Sequence, residues 1–196
     1  MNNRYVQAVV EDVLQEAILH KLLNHYRPDI SLIGVSGKRG NNYIRQSIRG
    51  FNEASQFLPH IVLTDLDRIV CAPQLISDWI DFEISSQMLF RVAEKEIDAW
   101  ILSDREEFAK FLGVPCNKIP VDTQELADPK QYIINLARRS RKKIIKDIIP
   151  SGLGTQGPGY NLLLQDFVIN AWNPDRASEN NLSLQKAIIR LRDFLR

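Results

Sequence analysis

Three carboxylates stand where hydrophobic strands run out. Glu11 follows YVQAVV, and Asp65 and Asp67 follow IVLT within HIVLTDLDRIV, residues 60–70. Alternate residues of a strand point to one face, so Asp65 and Asp67 are expected side by side. Like charges so placed repel, and a cation or exposure to water has to offset the repulsion. Oxygen-only sets of this kind suit hard divalent cations. Magnesium takes a few carboxylates and completes its shell with water and substrate phosphate oxygens. One such ion polarises a phosphodiester, and two at about 3.5–4 Å stabilise both the attacking and the leaving oxygen. The competing reading makes Asp65 and Asp67 caps of the next helix or decoration of a turn. Glu11 at an equivalent strand end favours the metal reading, with Mg2+ (or Mn2+) as cofactor and Glu11 also available for proton transfer.

The elements that must position these residues follow from apolar periodicity. Tyr5–Val10, Ser31–Ser36, Ile61–Thr64 and Met88–Val92 are expected strands. Helices are expected over 12–26, with Asp12 in the first turn or cap, over 43–57, and over 73–82 with Pro73 at the start. Strands alternating with helices give an α/β fold, a parallel Rossmann-like sheet flanked by helices. Such sheets bind ligands outside the carboxyl ends of their strands, where Glu11, Asp65 and Asp67 all fall. From Glu94 onward the pattern turns helical. Helices are expected over 94–112, interrupted near Asp104 and stopped by Gly113, and over 131–149, 160–172 and 183–195. The division read from this is an α/β core over 1–93 and a helical region over 94–196.

VVEDVLQEAIL followed by HIVLTDLDR resembles the TOPRIM pattern of topoisomerases, primases and OLD-type nucleases: a Glu after the first strand and a later Asp-x-Asp. The likeness covers about residues 5–90. It departs where the family commonly has Glu-Gly, because this chain has Glu11-Asp12. FRVAEKEIDAWILSDREEFAKFLGV, with DPK and LARRSR, is similar to small stand-alone TOPRIM-like proteins found beside ABC- or OLD-type ATPases in bacterial defence loci. The resemblance implies that Glu11, Asp65 and Asp67 hold metal, that nucleic acid, DNA before RNA, is the substrate, and that an ABC/OLD-type ATPase is the partner. It also implies a further acidic ligand downstream, Glu94 or Glu96. Helical spacing favours Glu96, which shares a stripe with Trp100 and Asp104.

Two basic clusters complete the candidates. RRSRKKIIK, residues 138–146, would put Arg138, Lys142 and Lys146 on one helical ridge with Arg139 and Lys143 alongside, and Ile133, Leu136, Ser140, Ile144 and Ile148 on the packed face. A solvated charged face is the alternative. The loop SGKRGNN carries Lys38 and Arg39 to the carboxylate rim, where Lys38 could neutralise a transition-state phosphate. It lacks the GxxxxGK[ST] spacing of a Walker A loop. His20, His25 and His60 form no cluster at ligand spacing.

Net charge is +1, so attraction to a polyanion must come from local patches. Cys71 and Cys116 match no metal or redox spacing, which suits a reduced, cytoplasmic chain. No stretch approaches the roughly 18 uninterrupted apolar residues of a membrane span, and the start is not that of a signal peptide. A DxD transferase has little room here for an acceptor domain. A haloacid-dehalogenase phosphatase would carry its DxD after the first strand. The leading expectation is therefore a metal-dependent nuclease using water as nucleophile; the alternative is a catalytically inactive TOPRIM-like module of an ATPase complex.

Overall fold

A computed structural model describes residues 4–196. It contains a four-stranded, all-parallel sheet flanked by helices. The strands are β1 (Arg4–Val10), β2 (Ile30–Gly37), β3 (His60–Asp65) and β4 (Met88–Ala93), in the order β2-β1-β3-β4. The helices between them are α1 (Val13–Tyr26), α2 (Asn41–Ala54) and α3 (Ala72–Trp79). The chain divides into two compact units. The first runs through Glu94 and includes Gln185–Arg196; the second is Lys95–Leu184.

In the first unit β3, inside the sheet, is buried along nearly its whole length, whereas the edge strand β2 is only partly covered and leaves Ile33 exposed. Val9, Val62, Phe90 and Val92 meet Ile44 and Ile48 of α2 and Leu75 and Trp79 of α3 in one core. Asn52 fastens α2 to the segment before β4: its side chain accepts from the Ser85 N–H at 2.8 Å and donates to Glu83 O at 3.1 Å. Asp12 caps α1 as its type and place suggest, accepting from the N–H groups of Leu14 and Gln15 at 2.9 and 3.0 Å. Among the described residues, the one buried side-chain polar atom with no hydrogen-bond partner is Arg91 Nε on β4.

The second unit holds α4 (Ile97–Leu102), α5 (Arg105–Leu112), α6 (Pro129–Arg139), α7 (Tyr160–Asn170) and α8 (Pro174–Glu179); α9 (Leu182–Asp193) begins within it. The expected break near Asp104 is present. Asp104 leaves helical geometry and is buried, and its carboxylate accepts two bonds from Arg176 at 2.9 Å and one from the Asn173 N–H at 2.7 Å. Gly113 then ends α5 in the left-handed conformation. The helix expected from Glu94 starts only at Ile97, because Lys95 has a left-handed backbone and Glu96 is extended.

The helix expected over 131–149 is corrected: α6 stops at Arg139, and a short 3-10 turn covers Ile144–Ile148. The side chain of Ser140 reaches away to Leu112 O at 2.5 Å, and Ser140 itself is extended, so helical geometry cannot continue. Short α8 was not anticipated, although Asn173-Pro174 is a cap followed by a first-turn proline.

Candidate active site

The order β2-β1-β3-β4 makes the chain leave β1 in one direction and return to its other side at β3. The carboxyl ends of β1 and β3 therefore flank the topological switch point of the sheet. Glu11 is the residue after β1, and Asp65 is the last residue of β3. Sequence reasoning put both at strand ends but could not make those two strands neighbours.

Four hydrogen bonds organise the pair. Glu11 Oε1 accepts from the Thr64 hydroxyl and from the Asp65 N–H, the latter at 2.7 Å. Gln15, fully buried in the first turn of α1, accepts from the Glu11 N–H and donates to Asp65 Oδ1, each at 2.9 Å. Thr64 and Gln15 were missed. Neither is acidic, and only the fold brings α1 beside the end of β3. Glu11 Oε2 makes no hydrogen bond among the described residues.

Burial, the largest influence, pushes the Glu11 carboxyl up from its ordinary 4.5 to about 7. The bonds from Thr64 and Asp65 pull it down, while the charges of Asp67 and Asp12 push it further up.

Asp67 does not stand beside Asp65 on a strand. β3 ends at Asp65, Leu66 turns inward with its N–H on Ala93 O at 2.9 Å, and Asp67 is exposed with a left-handed φ of 53°. Asn41, which opens α2, donates to Asp67 Oδ2 at 2.7 Å. Asp67 still acts on Glu11 through its charge.

A loop clasps the same rim. Gly37 has φ of 98°, and a Cβ there would lie 2.1 Å from Val10 O, so only glycine lets β2 finish this close to β1. The Lys38 N–H then donates to Val10 O at 2.8 Å, and the Gly40 N–H to Glu11 O at 3.2 Å. The Lys38 ammonium is paired with Glu16 at 2.6 Å, one turn into α1. Arg39 lies over the Tyr43 ring, 5.3 Å from its centroid. Lys38 and Arg39 are thus on the rim, with Lys38 engaged by a carboxylate that sequence reasoning did not single out.

Glu94 and Glu96 fall in different compact units. Glu94 follows Ala93, the β4 residue that pairs with Asp65, and belongs to the first unit. Glu96 belongs to the second unit and does not form a helical stripe with Trp100 and Asp104, since it precedes α4 in extended conformation. Its carboxylate accepts from the Lys130 N–H at 3.2 Å, at the start of α6. Burial raises its pKa and the neighbouring Asp98 adds to this, while Lys130 opposes it.

The ridge expected at 138–146 is also corrected, because no helix joins its members. Lys142 Nζ donates to Lys110 O and Phe111 O at 2.6 and 2.9 Å, and Lys146 Nζ to Ala137 O and Arg138 O at 3.2 and 2.8 Å. Each lysine caps the carbonyl end of a helix, α5 or α6. Arg138, Arg139 and Lys143 are exposed, and Ile144, assigned to the packed stripe, is exposed while Ile145 is buried. We expect Lys142→Ala to cost about 1 kcal/mol of stability. A Tm identical to wild type would show that those carbonyl bonds contribute nothing.

Among the described residues, no three His, Cys, Asp or Glu side chains stand together as a ready metal-holding group. A two-carboxylate site nevertheless fits magnesium, which is commonly held by one or two carboxylates, water and substrate phosphate. Glu11 and Asp65 offer oxygen donors only, and burial together with the charges of Asp67 and Asp12 disfavours the ionised form of Glu11, a cost that a cation relieves. No helix of the described residues is long and apolar enough to cross a membrane. Neither the family models, nor the curated proteins, nor the solved structures compared with the chain gave a match.

Proposed function

We propose that the chain is a TOPRIM-like, magnesium-dependent phosphodiester hydrolase acting on nucleic acid. The observation that carries this reading is the pairing of Glu11 with Asp65 at the switch point, tied through the Asp65 N–H and through Gln15. Asp65 and Glu11 would hold the ion, with Asp67 beside them. When bound, it would polarise the phosphodiester and draw a water toward ionisation.

The residues of the chain have their own tasks. Gln15 fixes the Asp65 carboxylate, and Thr64 and the Asp65 N–H fix Glu11 Oε1, leaving Oε2 to take a proton from the attacking water. Lys38, on releasing Glu16, would meet phosphate charge at the rim. The TOPRIM resemblance adds DNA as the first substrate to try and an ABC/OLD-type ATPase as the partner. Metal-dependent cleavage of a plasmid that disappears in Asp65→Asn tests the reading.

A second reading is favoured by a specific observation. Asp67 is bonded to Asn41, Lys38 is paired with Glu16, and Asp12 stands where the resembling family commonly has glycine. A rim so occupied suits a catalytically inactive module of an ATPase complex. Such a module would bind its partner equally well as wild type and as Asp65→Asn, and neither would cleave.

A further inference from the structure

The end of the sheet opposite the carboxylates carries a second charged feature. β1 starts at Arg4, whose N–H donates to Asp29 O at 2.8 Å. A strand rises about 3.3 Å per residue, so this end lies roughly 20 Å from Glu11. An open cavity of about 660 Å³ is lined here by Arg4, Tyr26, Arg27, Asp29, Arg192 and Arg196. Four guanidinium groups face one carboxylate.

That carboxylate is already engaged. Arg27 donates to both Asp29 oxygens at 2.8 Å, and these bonds hold the Asp29 carboxyl below the usual carboxylate range. Arg27 has a structural task. It is buried, and its Nη1 donates to the carbonyls of Leu191 at 3.2 Å, Arg192 at 3.4 Å and Phe194, which pins the last turn of α9. Arg196 is paired with Asp193 at 2.9 Å.

Two cations are left in surplus. Arg4 only shares Asp29, at 3.6 Å. Arg192 lies over the Tyr26 ring, 4.4 Å from its centroid, and has no carboxylate partner among the described residues. Stacking fixes the plane of a guanidinium and leaves its N–H edge free to donate, the geometry that matches phosphate oxygens.

We infer that this cleft binds an oligophosphate anion, with Arg192 and Arg4 as donors and Tyr26 as the platform that orients Arg192. The cavity is within the size range of small-ligand sites, about 300–1,000 Å³. Unmatched positive charge in a concave surface raises the local concentration of anions. Free oligophosphates and the backbone of single-stranded nucleic acid present the same groups. The site shares no residue with the carboxylate rim and does not rest on the hydrolase reading.

The test uses the full chain with two probes: inorganic tripolyphosphate by calorimetry, and a fluorescein-labelled single-stranded oligonucleotide by anisotropy at several salt concentrations. Arg4→Ala/Arg192→Ala, which spares Arg27, should weaken tripolyphosphate binding about tenfold or more. If nucleic acid is the ligand, the same variant should also reduce the slope of log affinity against log salt by about 1.4 for two lost phosphate contacts. Binding of tripolyphosphate without the oligonucleotide assigns the site to free oligophosphates. Arg192→Lys keeps the charge but loses the fork and should fall between wild type and the double variant. Arg192→Gln serves if the double variant fails to fold. Both titrations are run in chelator without magnesium, so neither draws on a metal at the carboxylate rim and failure of the hydrolase reading would not be mistaken for failure of this one. Wild-type affinity in Arg4→Ala/Arg192→Ala, or no binding of either probe by wild type, overturns the inference.

Discussion

Asp65→Asn should lower magnesium-dependent cleavage of nucleic acid by about 10³-fold, equivalent to about 4 kcal/mol of barrier. Asparagine keeps an oxygen where Gln15 donates at 2.9 Å, so the buried amide of Gln15 retains its acceptor and the variant should fold as wild type does. What is removed is the charge a divalent cation needs. Asp65→Ala would be less informative, because it leaves a buried donor unpaired, a cost of about 1–3 kcal/mol that confuses activity with stability. The companion variants are Glu94→Gln and Glu96→Gln. Glu94 follows the β4 residue paired with Asp65, whereas the Glu96 carboxylate accepts from the Lys130 N–H. Cleavage should fall in Glu94→Gln and hold in Glu96→Gln; the reverse result would restore the helical-stripe choice of ligand. Undiminished cleavage in Asp65→Asn, with magnesium still required, would move the reaction away from this rim altogether.

The sequence made the strands legible because each is an apolar run followed by a cap or turn. YVQAVV, SLIGVS, IVLT and MLFRV became β1, β2, β3 and β4, each longer by one residue at one or both ends. The strand order was not legible, and it is the order that makes Glu11 and Asp65 neighbours. Gln15 and Thr64 escaped for the same reason: their partners are 50 and 53 residues away, and nothing local marks them. Asp67 was misplaced because a period of two was extended past the point where Leu66 turns into the core. The failure at 131–149 is one of tertiary override. Arg and Lys favour helix, yet the bonds from Ser140 to Leu112 and from Lys142 to the end of α5 hold the chain away from it.

In metal-free buffer the protein should lose stability as pH rises through neutrality, and Glu11 should be the cause. Its carboxyl is raised from 4.5 to about 7 in the folded state, first by burial and then by the charges of Asp67 and Asp12. Between those values the folded state holds a proton that the unfolded state has released, so stability falls with increasing pH. The contribution is fully present below about pH 4.5 and lost as pH passes through about 7. Two to three pKa units correspond to about 3 kcal/mol. Glu11→Gln separates this group from every other that titrates. It keeps the oxygen that accepts from Thr64 and Asp65, replaces the other oxygen by an uncharged amide, and cannot ionise. Urea midpoints measured from pH 5 to 8 with a chelator should therefore converge at low pH, with the variant the more stable at pH 8. Glu96, also raised, titrates in both proteins and cancels from the comparison. Saturating magnesium should reverse the order at pH 8, because the ion stabilises the ionised Glu11 of wild type and finds one carboxylate fewer in the variant. Parallel stability curves for the two proteins in chelator would show that Glu11 is solvated at little cost. A magnesium response equal in both would remove Glu11 from the metal site while leaving Asp65 to be judged by its own variant.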